Sequence, residues 1–164
     1  MKTLYLARHA KSSWDERGVS DHDRGLNARG KRDAPQIGEV LFNKGYSPDV
    51  IYSSSAKRAI TTAKIIAEKL QYPFQKIVVT NKIYEAATKD LINIINEFDD
   101  KFDSAMLFGH NPSFTVLSNL LTDKYIDNMP TCSVAVINLN VESWKDVESE
   151  CGKLAAFEYP KKYH

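Results

Sequence analysis

Residues 49–70 read DVIYSSSAKRAITTAKIIAEKL, and a change of period inside this stretch decides the fold class. Asp49 to Tyr52 is a short apolar, β-rich run and predicts a strand. The run Ser53-Ser54-Ser55 closes it and is suited to capping a helix. Beyond it, Ala56, Ala59, Ile60, Ala63, Ile66, Ala67 and Leu70 recur at three- and four-residue spacing, which makes one apolar stripe. Lys57, Lys64 and Glu68 lie off that stripe. A strand running straight into an amphipathic helix is the repeating unit of an α/β protein with a largely parallel sheet.

The same alternation extends in both directions. Thr3 to Ala7 reads as the first strand, and the polar stretch from His9 to Asp23 as a long loop. Leu26 to Phe42 predicts a helix, Ile77 to Thr80 a third strand and Asp90 to Phe98 a third helix. Ala105 to Phe108 is a fourth strand, leading through Gly109-His110-Asn111 into a helix whose first residue is Pro112. The apolar runs Val134 to Leu139 and Leu154 to Tyr159 complete the sheet as edge strands or a hairpin of open direction. No repeat, low-complexity block or linker interrupts the chain, so a single domain over residues 1–164 is expected.

Composition narrows the function classes. The 164 residues are 43% hydrophobic and 26% charged, with a formal net charge of +1, so no global field favours nucleic acid or an anionic membrane. The longest apolar runs are strand-sized, too short to span a bilayer. Arg8-His9 interrupts the apolar start before a signal-peptide core is complete. Cys132 and Cys151 make no CxxC pair and no disulfide framework, and a reducing, cytoplasmic setting is the expectation.

In parallel α/β sheets, ligands bind beyond the carboxyl ends of the strands. After the first strand come Arg8 and His9; after the second, the serine run and Arg58; after the third, Glu85; after the fourth, His110. Two arginines, two of the four histidines and a carboxylate are thus delivered toward one rim. Singly, each has an ordinary structural reading, but together they call for a common cause. A phosphoryl group in transfer carries negative charge on its equatorial oxygens, which fixed positive charge and helix N-termini stabilise. A neutral imidazole with one nitrogen held by a hydrogen bond can attack phosphorus, and a carboxylic acid can protonate the leaving group. No cluster has metal-ligand spacing, so no metal or other cofactor is expected. His22 and His164, in a loop and at the terminus, are assigned no role. Lys11 is placed near the pocket or in solvent.

These residues carry a family pattern. Leu6-Ala7-Arg8-His9-Ala10-Lys11-Ser12 resembles the first signature of the histidine phosphatase superfamily. The run from Ser53 to Ala63 resembles its second block, and Gly109-His110-Asn111-Pro112 its third. The short length, Ser12-Ser13-Trp14-Asp15 and the segment from Asp23 to Gly30 are similar to the SixA-like phosphohistidine phosphatases. Gly25 stands where related chains often carry proline. The resemblance implies a three-layer α/β/α, phosphoglycerate-mutase-like fold with a mostly parallel sheet. It implies His9 as nucleophile, with Arg8, Arg58 and His110 completing the phosphate pocket. Glu85 is placed like the acid of the mutase-type branch, and Asn111 departs from the His-Asp donor of the acid-phosphatase branch. Ser12, Asp15 and Asn111 are expected on the pocket border.

The expected function is therefore a metal-independent phosphatase with a phosphohistidine enzyme intermediate, acting on phosphohistidine in proteins. Little length is spare for a lid, which suits an open pocket and speaks against a mutase. The alternatives are a phosphatase of small phosphomonoesters and a non-catalytic phosphate-binding module. The expected partner is a phosphorylated protein or small phosphorylated substrate, met by a monomer.

Overall fold

The computed structural model describes residues 1–15 and 17–164. Glu16, inside the loop expected over His9–Asp23, lies outside the described residues. The order of elements is β1 (Lys2–Arg8), α1 (Ala28–Asn43), β2 (Val50–Ser54), α2 (Lys57–Lys69), β3 (Val78–Thr80), α3 (Thr88–Asn96), β4 (Ser104–Gly109), α4 (Ser113–Leu121), β5 (Val134–Leu139) and β6 (Gly152–Glu158). Among the described residues the strands form one six-stranded sheet ordered β3-β2-β4-β1-β5-β6. The pairs β3/β2, β2/β4 and β4/β1 are parallel, whereas β5 runs antiparallel to both β1 and β6. The two C-terminal runs therefore form an antiparallel pair, and β5 alone is reversed.

The sheet separates two apolar layers because side chains alternate along each strand. Leu4, Leu6, Ala105 and Leu107 pack with Leu91 and Ile95 of α3 and with Phe114 and Leu117 of α4. Tyr5, Ala7, Met106 and Phe108 pack on the other face with Ile37 and Leu41 of α1 and with Ala63 and Ile66 of α2. The result is the expected α/β/α sandwich. The stripe read from residues 56–70 is the buried face of α2, with Ala59, Ala63, Ile66 and Ala67 inside.

Three local readings change. Ser53 and Ser54 belong to β2, and the cap of α2 is Ala56, whose side chain cannot bond to the helix. The Ser53 hydroxyl donates to the Ser54 carbonyl, and those of Ser54 and Ser55 meet histidines, as described below. Helix α1 starts at Ala28, because the Asn27 side chain accepts the Gly30 N–H at 2.9 Å. Pro112 precedes α4 rather than opening it, and Asn111 Oδ1 accepts the Thr115 N–H at 3.3 Å.

Two glycines mark where backbone must come close. A Cβ on Gly30 would lie 2.2 Å from the Lys11 carbonyl oxygen, so α1 can press against the loop after His9 only without a side chain there. A Cβ on Gly109 would sit 2.4 Å from the Phe114 ring, where β4 turns toward α4.

Candidate active site

His9 leaves the end of β1, and its backbone is tied on both sides. Its N–H donates to the Gly109 carbonyl at 3.1 Å, and its carbonyl accepts the Cys132 N–H at 3.0 Å. The Ala10 N–H donates to Thr62 Oγ1 at 3.0 Å, and that hydroxyl donates to the Arg58 carbonyl at 2.8 Å. One threonine on α2 thus links the β1 exit to Arg58. Cys132 adopts φ 62°, a left-handed conformation, in the turn that delivers its N–H to His9.

The ring of His9 is buried, and its Nδ1 lies 2.7 Å from the Ala10 carbonyl. A carbonyl can only accept, so Nδ1 carries the proton and Nε2 keeps its lone pair. The His110 ring centroid is 5.2 Å away. His110 Nε2 lies 2.8 Å from Ser54 Oγ, which already accepts the Ala56 N–H. Among the described residues Nε2 is the one acceptor that hydroxyl has for its own proton, and with that assignment the proton of neutral His110 sits on Nδ1.

Burial, together with the charges of His110, Arg58 and Arg8, pushes the His9 pKa down to about 3, against the Ala10 hydrogen bond that raises it. Burial and then Arg58 push His110 down to about 4. Both rings are neutral at physiological pH, the state in which an imidazole nitrogen keeps a free lone pair. The Arg8 guanidinium is partly used: its Nη1 donates to the Met129 carbonyl at 2.8 Å. Arg8 Nε, Arg58 Nε and His110 Nδ1 are buried without a hydrogen-bond partner among the described residues. Buried N–H groups left open are costly unless a ligand meets them. Three of them around His9 make a pocket built for an anion.

The neutral histidines also set a stability profile. An unfolded histidine takes up a proton near pH 6.5, whereas His9 and His110 resist protonation down to about 3 and about 4. Stability contributed by each is therefore complete above pH 6.5 and is lost as pH falls toward the folded values. Going from pH 7.5 to pH 5 should cost about 2 kcal/mol for each ring. Urea unfolding at the two pH values measures it, and His9→Asn should remove its own share; a midpoint shift unchanged in that variant would contradict the assignment.

The remaining expected residues are placed unevenly. Ser12 is buried, and its Oγ accepts from Arg24 Nη1 at 2.6 Å. Asn111 is half-buried, and its Nδ2 donates at 2.9 Å to the Met129 carbonyl that also receives Arg8. Lys11 is half-buried. Asp15 is exposed, and its carboxylate makes no hydrogen bond among the described residues. Glu85 is exposed at φ 58°, and no hydrogen bond or ion pair among the described residues joins it to His9, Arg8, Arg58 or His110.

Other residues entered the site without a sequence signal. His22 Nε2 lies 2.9 Å from Ser55 Oγ, and its ring meets Tyr84 edge-on at 4.9 Å. Tyr84 in turn lies 5.7 Å from the His110 ring. Asp21 receives Arg58, Arg24 and Tyr84 together. The clue available was compositional: Asp21-His22-Asp23-Arg24 packs four polar residues into the loop that follows β1.

A family profile for the histidine phosphatase superfamily, branch 1, matches residues 4–106, a span that carries Arg8, His9 and Arg58. The chain belongs to the histidine phosphatase superfamily. An uncharacterized protein of Mycobacterium tuberculosis is 29% identical over 164 residues, covering 94% of this chain and 99% of its own. Among solved structures, a chain from Agrobacterium tumefaciens provisionally named phosphohistidine phosphatase SixA has 28% identity and a TM-score of 0.81. The match spans 97% of this chain and 98% of that one. The protein histidine phosphatase SixA in complex with tungstate shares the fold, with a TM-score of 0.84 at 16% identity over 99% of both chains. The sandwich is accordingly of the phosphoglycerate-mutase-like type, and the chain is a histidine-phosphatase-superfamily phosphatase. Among the described residues, no helix is long and apolar enough to cross a membrane. Nor is any group of three or more His, Cys, Asp or Glu placed to hold a metal ion.

Proposed function

We propose that this phosphatase removes the phosphoryl group from phosphohistidine in proteins, by way of a phosphohistidine on His9 and without a metal, with residues 1–164 acting as one domain. The observation that carries the reading is the buried, neutral His9 with Nδ1 on the Ala10 carbonyl, facing open N–H groups of Arg8, Arg58 and His110. In the first step the Nε2 lone pair attacks phosphorus and the bond from phosphorus to the substrate nitrogen breaks. The guanidinium and imidazole N–H groups take the charge of the equatorial oxygens. In the second step water attacks the phosphorus of phospho-His9, the phosphorus–Nε2 bond breaks, and inorganic phosphate leaves.

The leaving group argues for a nitrogen-bound substrate. Imidazole has an ordinary pKa of about 6.5, and a substrate phosphohistidine can carry its proton on the far ring nitrogen before the reaction. It then departs as neutral imidazole with no acid at the breaking bond. An alkyl phosphate needs a proton delivered to oxygen. The site is poorly equipped for that: Glu85 is exposed, and Asp21 is held ionised by hydrogen bonds from Tyr84, Arg24 and Arg58. The surroundings suit a macromolecule. Trp14 is exposed against the Arg24 guanidinium, which lies 3.6 Å from its ring centroid. On the other side a groove of about 520 Å³ starts at Asn111 and runs past Val116, Leu120 and the exposed Tyr125. Exposed apolar side chains gathered beside a polar pocket are a common mark of protein recognition.

Comparing rates on a phosphohistidine peptide, a phosphoserine peptide and sugar phosphates tests the reading. Turnover of phosphohistidine should exceed that of phosphoserine on the order of 100-fold, about the reach of one general acid. Glu85→Gln should change phosphohistidine turnover less than about 3-fold, well inside that range. Equal rates on the three substrates, or a large Glu85→Gln loss on phosphohistidine, would count against it.

A further inference from the structure

In the Asp21–Asp23 turn, one residue meets two arginines and a tyrosine of the site. Asp21 receives five hydrogen bonds from three side chains. Its carbonyl accepts from Arg58 Nη1 at 2.7 Å, and Oδ2 from Arg58 Nη2 at 3.1 Å. Oδ1 accepts from Arg24 Nε at 3.2 Å and Nη2 at 3.0 Å. Oδ2 also accepts from the Tyr84 hydroxyl at 2.7 Å. These donors come from α2, from the loop after β1 and from the segment after β3, so one carboxylate joins three parts of the rim.

The donors that Asp21 leaves free matter as much as those it takes. A guanidinium has five N–H donors in one plane. Asp21 engages one on Nη1 and one on Nη2 of Arg58, and the Nε–H stays buried and without a partner among the described residues. The Nε side of the fork is thereby left whole, with a terminal N–H beside it, which is the edge that grips two oxygens of a tetrahedral anion. The side chain of Arg58 is only 8% exposed, so it has little freedom to find this pose by itself once the tether is gone. What is lost with the tether is a fixed direction.

We propose that Asp21 is a positioning residue that holds Arg58 by its far end and presents the Nε edge to the phosphoryl group. The assignment rests on the phosphatase reading above. Tyr84 and Arg24 fix the same carboxylate and so set the angle of the clamp. A competing possibility has the opposite sign: a carboxylate that merely occupies Arg58 would compete with phosphate, and its removal would tighten phosphate binding.

The test is a double-mutant cycle on the full chain with wild type, Asp21→Ala, Arg58→Ala and the double variant. Two readouts are needed: kcat/KM on a phosphohistidine peptide, and the affinity for inorganic phosphate by calorimetry. Asp21→Ala should lower kcat/KM on the order of 10- to 100-fold and weaken phosphate binding several-fold, since misaimed groups forfeit that much. In the Arg58→Ala background the same change should cost less than about 2-fold, the mark of coupled residues. Asp21→Asn keeps a neutral acceptor and should fall between wild type and Asp21→Ala. Melting temperatures read alongside separate aim from folding, because a purely structural role lowers activity equally in both backgrounds. Additive losses, unchanged activity in Asp21→Ala, or tighter phosphate binding would each overturn the proposal. A wild-type protein that binds phosphate yet turns over no phosphohistidine would sink the substrate reading and leave the affinity arm to decide on Asp21. One that neither binds phosphate nor hydrolyses any phosphate would overturn both.

Discussion

Replacing His9 by alanine should reduce turnover of every phosphorylated substrate to the background of the uncatalysed reaction, a loss on the order of 10⁵-fold or more. The size follows from the step removed. With no nucleophile at the end of β1, the arginines can still bind phosphate, but no bond to phosphorus can form on the protein. Binding and chemistry therefore part company: inorganic phosphate should still bind His9→Ala. The check is to mix protein with a labelled phosphodonor, quench, and test the label, which on a histidine is acid-labile and base-stable. Wild type should carry it and His9→Ala should not. A label that persists in the variant would move the nucleophile elsewhere. Absence of label and of phosphate release with any donor would favour a phosphate-binding module.

The second large effect is expected at Arg58. Arg58→Ala should lower kcat/KM by about 10²- to 10³-fold, the usual cost of removing one donor aimed at developing charge. Arg58→Lys should recover little of this. An ammonium is a compact charge without a planar fork, and it can neither fill the place of the Nε edge nor reproduce the two bonds to Asp21. Steady-state kinetics on the three proteins measures both, and a lysine variant within about 3-fold of wild type would show that charge alone suffices, against the geometric argument.

How much of this was legible beforehand depends on what kind of signal each residue leaves. His9, Arg58 and His110 could be found because strands and helices announce their ends, and a parallel sheet turns those ends to one rim. The direction of β5 could not, because Val134 to Leu139 reads the same in either orientation. Its N-terminal end reaches the rim only because it is reversed, and the turn before it supplies the Met129 and Ser133 carbonyls that hold Arg8. Asp21, His22, Arg24 and Tyr84 lie in loops without period, where tertiary contacts alone decide which polar group meets which. The serine run misled for a related reason: Ser54 and Ser55 had two uses, helix capping and histidine partnering, and the second depends on residues 56 and 33 positions away along the chain. Glu85 was named by strand-end logic, and it sits at φ 58° in an exposed position.

The central place of β1 in the sheet, between β4 and β5, bears on how the protein folds. The strand that leads into His9 pairs with no segment close to it in sequence; its partners are Ser104–Gly109 and Val134–Leu139. Pairings across such sequence distances form late and slowly. A chain in which those two distant strands have not yet docked therefore holds His9 without the fold that buries its ring, and the chemistry proposed for it waits on their arrival.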